Sequence, residues 1–265
     1  MFTLSRAMRA KGTAGEPLPT VFHCLAREGV HVRRGQLTLI AAAPGVGKSL
    51  ISLTLAVKAG VPALYFSADT DQDTMTNRAA AMVTQWRVQD IEQAKQQGLT
   101  ETINAQLDKV VHVRMDFEAS PSLTHLEGNL KAFEMVYGEF PALVVIDNVT
   151  NVDNESGEGG NPSLEYSFDF LHQLARDTGA AVVLLHHVTG EYDDGTKPVP
   201  LSGLRGKVSK VPELILTLHR IEGDSETGVR RLGISPVKNR TGKSDPSGYW
   251  FLTVDVDLER MGVRG

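Results

Sequence analysis

The hydrophobic positions fall into short, nearly continuous runs separated by stretches with helical spacing. The runs are Gln36–Ala42 (QLTLIAA), Val61–Ser67 (VPALYFS), Val110–Met115 (VVHVRM), Ala142–Asp147 (ALVVID) and Ala180–His186 (AAVVLLH). Strict alternation would signal a sheet with one wet face. Continuous runs predict strands covered on both faces, as in a parallel sheet. Between them, Lys48–Ala59 is rich in Leu, Ile and Ala, and Gly60 stands where a left-handed helix cap belongs. Ser163 is expected to cap a helix that carries Leu164, Phe168, Leu171 and Ala175 on one face and ends at Gly179. A further helix is expected over Gln72–Trp86. Strand then helix, repeated, predicts an α/β fold: a mostly parallel twisted sheet with helices on both faces. After residue 210, strand-like runs at Glu213–His219, Val229–Lys238 and Tyr249–Val254 read as a strand-rich C-terminal extension of the same sheet. Residues 1–35 read as an arm that contacts another subunit, or a short helix, and residues 36–265 as one domain.

Composition narrows the class without naming a function. The chain has 265 residues, 41% apolar and 22% charged, which is ordinary for a globular protein. Cys24 is the only cysteine, so an internal disulfide framework and a Cys-rich zinc site are excluded. No apolar run approaches the length of a membrane span, and the first residues lack the apolar core of a signal peptide. A cytoplasmic protein with no membrane partner is expected. A net charge of −5 speaks against a globally basic nucleic-acid binder.

The strongest chemical signal is Ala42-Ala43-Pro44-Gly45-Val46-Gly47-Lys48-Ser49, placed after a strand and at the start of the Lys48–Ala59 helix, with Leu50 the last residue expected at the nucleotide. It matches the phosphate-binding pattern Gly, four residues, Gly-Lys-Ser/Thr, with Ala42 replacing the first Gly. Backbone N–H groups of such a loop, aided by the positive end of the following helix, wrap a β-phosphate. Glycines at 45 and 47 let the backbone turn and approach without a Cβ in the way. Lys48 would set a charge on the β- and γ-phosphates, and the Ser49 hydroxyl would take a Mg²⁺ position. Leu143-Val144-Val145-Ile146-Asp147 ends an apolar strand in an acid about 100 residues later, the place where such proteins hold the Mg²⁺ shell. ATP and Mg²⁺ are therefore the expected cofactors.

These motifs, in this order, resemble the RecA-like ATPase core, and within it the ATPase domain of DnaB-type replicative helicases and their phage and plasmid relatives. The resemblance runs from about Arg33 to about Asp255, and an Ala opening the loop with Pro two positions later favours it. It implies further roles. Phe66-Ser67-Ala68-Asp69 stands where the family has a strand followed by a catalytic Glu that activates water, so Asp69 is the candidate, one methylene shorter, with Asp71 nearby. Both acids could instead cap the helix that follows. His187, after Leu184-Leu185-His186, falls in the slot of a polar γ-phosphate sensor that is usually Gln. Lys238 and Arg240, in Val237-Lys238-Asn239-Arg240-Thr241-Gly242, resemble the family's Lys-x-Arg segment, which reaches a neighbouring subunit's γ-phosphate. The resemblance also implies a ring, with a hexamer favoured over a filament.

Two Gly- and polar-rich stretches, Asn148–Pro162 and Thr189–Val211, follow the Asp147 and His187 strands, where RecA-like rings hold single-stranded DNA. The first carries Asp153, Glu155 and Glu158 with no cation. The second carries Arg205, Lys207 and Lys210 with no acid from Pro198 to Pro212, and suits a phosphate backbone. A second cationic run, Arg230, Arg231, Lys238, Arg240 and Lys243, contains no acid, so the global charge is an average over unlike regions. The leading expectation is an ATP-dependent DNA helicase or translocase. A recombination mediator that binds single strands without unwinding, and a KaiC-like regulatory ATPase with no DNA role, are the alternatives.

Overall fold

The structure, a computed structural model, describes residues 15–153, 161–221 and 230–265, without the side chains of 161–163. The first fourteen residues of the expected arm, Glu155 and Glu158 of the first loop, and Val229 lie outside the described residues.

A nine-stranded sheet organises the described chain, in the spatial order β3-β2-β4-β5-β1-β6-β7-β8-β9. The strands are β1 Leu37–Ala41, β2 Ala63–Ser67, β3 Val113–Asp116, β4 Leu143–Asp147, β5 Ala181–His186, β6 Leu214–Ile221, β7 Arg230–Asn239, β8 Leu252–Asp257 and β9 Gly262–Arg264. The pairings among β1 to β6 are parallel, and those that add β7, β8 and β9 are antiparallel. Every residue of β1, β2, β4 and β5 is buried, so both faces of the sheet's centre are covered. This bears out the continuous apolar runs and the expected α/β class.

The helices are α1 His23–Arg27, α2 Lys48–Lys58, α3 Gln72–Thr84, α4 Val88–Gln96, α5 Glu101–Leu107, α6 Leu123–Tyr137 and α7 Asn161–Thr178. Gly60 and Gly179 take the positive φ expected just past α2 and α7. The structure corrects several boundaries. α7 already runs through Ser163, so that residue is not its N-cap. α3 stops at Thr84 because Gln85 turns left-handed at φ 62°. β3 is half-exposed and begins only at Val113, so cover on both faces fails at this edge of the sheet. The helices α4, α5 and α6 had no counterpart in the sequence reading. α4 buries only Ile91 and Ala94, too faint a stripe to stand out from its polar neighbours.

Residues 15–35 pack as part of the domain. Pro17 bridges Arg33 in antiparallel fashion, Leu18, Phe22, Leu25 and Val30 are buried in the core, and the His23 N–H donates to the Gly265 carbonyl at 3.0 Å.

The antiparallel pair β6–β7 carries an unusual contact. His219 lies opposite Gly233, its ring is buried and meets Phe251 edge-on at 4.7 Å between centroids. A Cβ on Gly233 would lie 2.1 Å from the His219 ring, so the absence of a side chain there admits the imidazole. Gly233→Ala is expected to destabilise the fold by about 1–3 kcal/mol, read as a lower urea midpoint. An unchanged midpoint would show that the ring can move aside.

Candidate functional site

The site grows from the carboxyl ends of four neighbouring parallel strands, where a doubly wound sheet opens a crevice. The loop after β1 supplies the phosphate cradle, β2 leads to Asp69, β4 ends at Asp147 and β5 leads to His187. Cross-strand hydrogen bonds lock these ends together. The Ala68 and Asp69 N–H groups donate to the Asp147 carbonyl at 2.7 and 3.1 Å, and Ala42 N–H donates to the His186 carbonyl at 3.3 Å. Pro44, Gly45, Gly47, Lys48, Ser49, Leu50, Asp69, Asp147 and His187 line one cleft of about 770 Å³. Ala43 and Val46, also expected at the cradle, are buried in the core instead of lining the cleft, so their contribution is backbone.

Gly45 and Gly47 adopt φ of 70° and 127°, values that β-carbon-bearing residues avoid. Gly47 immediately precedes α2, which places the helix's unsatisfied N–H groups at the cradle. Lys48 is buried and its Nζ donates to the carbonyls of Ala42 and Ala43 at 2.9 and 3.2 Å. Burial pulls its ammonium below the ordinary pKa, against the attraction of Asp147 and Asp69.

Asp147 is 2% exposed. The Tyr65 hydroxyl donates to Asp147 Oδ2 at 2.9 Å, Ser52 Oγ lies 2.9 Å from the same hydroxyl, and the Ser49 hydroxyl also hydrogen-bonds Asp147. Burial lifts the Asp147 carboxyl above its usual range, while these two hydrogen bonds and the Lys48 charge oppose the rise. The two expected metal ligands, Ser49 and Asp147, are thus in contact. A hydroxyl and a carboxylate are hard oxygen donors, and this sparse set suits Mg²⁺, which keeps waters and phosphate oxygens in its remaining positions. Among the described residues no group of three or more His, Cys, Asp or Glu is placed to hold a metal.

The neighbouring acids separate cleanly. Asp71 caps α3, accepting from the Thr74 N–H at 2.9 Å and the Thr74 hydroxyl at 2.7 Å, and is fully exposed. Asp69 faces the cleft. His187 Nε2 accepts from the Asn148 amide at 2.6 Å, its Nδ1 is buried with no partner in the protein, and burial followed by the Lys48 charge keeps its pKa low. Tyr65, Asn148 and Arg78 were missed by sequence reasoning. Tyr65 and Asn148 read as a core aromatic and a loop polar residue. Arg78 lines the cleft, half-buried, without an ion pair or side-chain hydrogen bond among the described residues, and only its place on α3 reveals it.

Lys238 and Arg240 do not join this cleft. They lie at the end of β7 that pairs with the start of β6, the opposite end of the sheet from the cradle. There Lys238 Nζ donates to the carbonyls of Ser209 and Lys210 at 2.7 and 2.9 Å. Arg240 pairs with Glu213 at 3.2 Å and donates to the Lys210 carbonyl at 3.0 Å. The stretch Thr189–Val211 is not a free loop: Val199, Leu204 and Val208 are buried, and Arg205, Lys207 and Lys210 project as exposed cations from an anchored backbone. Two charge expectations change. Arg230 and Arg231 stand roughly 30 Å of extended strand from Arg240, so the second cationic run is split, and its far part joins the Lys210 segment in one surface.

His186 ties that segment to the site. Its Nε2 donates to the Arg205 carbonyl at 2.7 Å, and it is fully buried. Desolvation lowers its pKa from 6.5 to about 4. Fold and site together define a P-loop ATPase domain with the RecA-like architecture. The chain belongs to the AAA domain family, which matches residues 26–191. It is 45% identical to the Gene 65 protein of Mycobacterium phage L5 over 267 residues, covering 100% of this chain and 98% of that one. Its fold is similar to a solved ATPase domain of nearly the same extent, with a TM-score of 0.78, 16% identity, and 99% and 95% of the two chains covered. It is also similar to a DnaB-like replicative helicase solved for its interactions with primase, with a TM-score of 0.81 and 16% identity, covering 98% of this chain and 64% of that one. At this identity the two likenesses establish the fold, and the chain spans slightly less than two thirds of the DnaB-like helicase. No helix among the described residues is long and apolar enough to cross a membrane.

The buried histidine sets a pH dependence. The folded state keeps His186 neutral, while the unfolded chain takes up a proton near the ordinary pKa. Between about 6.5 and 4 the unfolded state therefore binds more protons, and this part of the stability is lost as pH falls through that window. The loss is expected to reach roughly 1–2 kcal/mol by pH 5. His186→Gln keeps an N–H donor toward Arg205 without the titration, so its melting temperature should fall less than that of the wild type between pH 7 and pH 5. Parallel pH profiles for the two proteins would contradict the assignment.

Proposed function

We propose that this chain is an ATP-dependent DNA helicase or translocase that hydrolyses ATP with Mg²⁺ at the interfaces of a ring, favoured as a hexamer, around single-stranded DNA. The observation that carries the reading is the separation of the two halves of the machinery. The cradle, Asp69, Asp147 and His187 share one cleft, whereas Lys238 and Arg240 stand at the other end of the sheet, away from their own chain's cradle, and in this reading they serve another subunit's nucleotide. The DnaB-like fold supports the same reading.

In this account the loop N–H groups and Lys48 hold the β- and γ-phosphates. Ser49 and Asp147 would hold Mg²⁺, which would supply charge neutralisation at the phosphates. Asp69 accepts a proton from the attacking water as its oxygen bonds to the γ-phosphorus and the bond to the β–γ bridging oxygen breaks, with ADP leaving. His187, neutral and oriented by Asn148, donates from Nδ1 to the γ-phosphate, and Arg78 adds positive charge to the phosphate site. Asp69 is shorter than Glu, which favours slow turnover in the absence of a neighbour and DNA. Arg205, Lys207 and Lys210 track the DNA backbone, and counterion release makes that contact salt-dependent.

ATPase turnover with and without single-stranded DNA, together with unwinding of a forked duplex, tests the reading. DNA should raise turnover, the rise should shrink with salt, and Arg205→Ala/Lys207→Ala/Lys210→Ala should remove most of it. Stimulation without unwinding would favour a single-strand-binding mediator. Turnover and assembly that ignore DNA would overturn the DNA role.

A further inference from the structure

Glu213 stands just before β6 and is held on every side. Its N–H donates to the Leu37 carbonyl at 3.0 Å, and its own carbonyl accepts from the Arg240 N–H at 2.9 Å. Its side chain is only 12% exposed, and the carboxylate is answered by donors from separate parts of the fold. The Leu37 N–H donates to Oε2 at 2.9 Å. His172 Nε2, on α7, and Arg240 Nη1 donate to Oε1 at 3.0 and 3.2 Å.

One of these donors explains why the residue is an acid. A neutral amide at this position would still offer an oxygen to Leu37. It could also satisfy the imidazole, which donates or accepts according to its tautomer. A guanidinium only donates and is always charged, so Arg240 is the partner that calls for a carboxylate.

The guanidinium is fixed without being used up. Arg240 is half-exposed, and an exposed arginine samples many rotamers, so ordering it for a ligand costs conformational entropy. Here Nη1 is engaged by Glu213 and Nη2 by the Lys210 carbonyl at 3.0 Å. The rest of the five-donor fork can meet an oxyanion while these contacts persist. Leu37 opens β1, the strand that leads to the cradle. Glu213 thereby registers an outward-facing cation to the strand that carries the chain's own phosphate loop.

We propose that Glu213 is a positioning residue for catalysis in the neighbouring subunit, its carboxylate presetting the Arg240 guanidinium for that subunit's γ-phosphate. The proposal rests on the cross-subunit role given to Arg240 above. Glu213 does not line its own chain's cleft, so its loss is felt across the interface. It acts by ordering the arginine before the nucleotide arrives.

Glu213→Gln tests this, because the amide keeps an acceptor for Leu37 and removes the charge that grips Arg240. ADP lacks the γ-phosphate and reports the chain's own cradle, so MgADP affinity should stay at the wild-type value. The kcat of the variant alone should fall at least about tenfold. Mixed with Lys48→Ala subunits, whose Glu213 and Arg240 are intact, it should regain activity. Mixed with Lys48→Ala/Glu213→Gln subunits it should not. A defect that is only structural stays with the subunit that carries it. Unchanged kcat, an ADP affinity that falls with turnover, or equal results from the two mixing partners overturns the positioning role. Glu213→Asp keeps the charge but draws it back by one methylene, and carries the test if the amide variant does not fold. It should lose less turnover with the same pattern of rescue, and wild-type turnover or an unrescued loss counts against the proposal. Arg240→Ala protein that hydrolyses ATP at the wild-type rate alone overturns the cross-subunit reading itself. Rescue of Arg240→Ala by Lys48→Ala subunits, without rescue of Glu213→Gln, overturns only the role of Glu213.

Discussion

Asp147 sits at the end of a wholly buried strand, 2% exposed, between the Tyr65 hydroxyl, the Ser49 hydroxyl and the Lys48 charge. An ionised carboxylate in such a place costs several kcal/mol unless hydrogen bonds and an opposite charge answer it. The rest of the site follows from how they do so. Ser49 and Lys48 are the last residues of the cradle, so holding Asp147 also fixes where α2 begins. Tyr65 comes from β2, the strand that leads to Asp69, and the Asp147 carbonyl accepts from the Asp69 N–H itself. A single buried acid thus sets the spacing of phosphate cradle, candidate metal ligands and candidate base. Burial also weakens its ionisation, and a divalent cation held by Ser49 and Asp147 would add positive charge that favours the carboxylate.

The strand order explains why the remaining cations stand apart. β5 separates β4 from β1, which gathers four carboxyl ends at one crevice. β6 runs parallel to β1, and β7 returns antiparallel, so residues at the end of β7 emerge at the amino end of the sheet. Lys238 and Arg240 are there by topology. They are also hydrogen-bonded to the carbonyls of Ser209 and Lys210, which makes the cationic segment and the proposed cross-subunit cations one mechanical piece. His186 ties the other end of that segment to the strand carrying His187.

Much of this was legible in the sequence, for identifiable reasons. Central strands announce themselves because both faces are covered and the apolar run is unbroken. Glycines at 45 and 47 announce the cradle because few other residues adopt their φ values. What was not legible depended on packing across long sequence distances. Tyr65 looks like any strand aromatic until its hydroxyl is found beside Asp147, 82 residues away. Asn148 becomes meaningful only beside His187. α4 hid because its buried stripe is two residues wide, and β9 because three residues carry no period. Charge read along the chain misled, since β7 pulls Arg231 and Arg240 to opposite ends of the sheet while folding joins Arg240 to Lys210. Asp69 and Asp71 differ in place: Asp71 accepts from the Thr74 N–H and hydroxyl as the cap of α3, whereas Asp69 lines the cleft.

The central claim is that a cleft built by one subunit is completed by another, and subunit mixing tests it most directly. Lys48→Ala protein lacks the cradle charge and Arg240→Ala protein lacks the cross-subunit cation, so each should be inactive alone. Mixed, a Lys48→Ala subunit can offer its Arg240 to the intact cleft of its neighbour, and ATPase activity should return to a substantial fraction of wild type. Mixtures that assemble as the wild type does and stay inactive, or Arg240→Ala protein that hydrolyses ATP at the wild-type rate alone, would contradict the account.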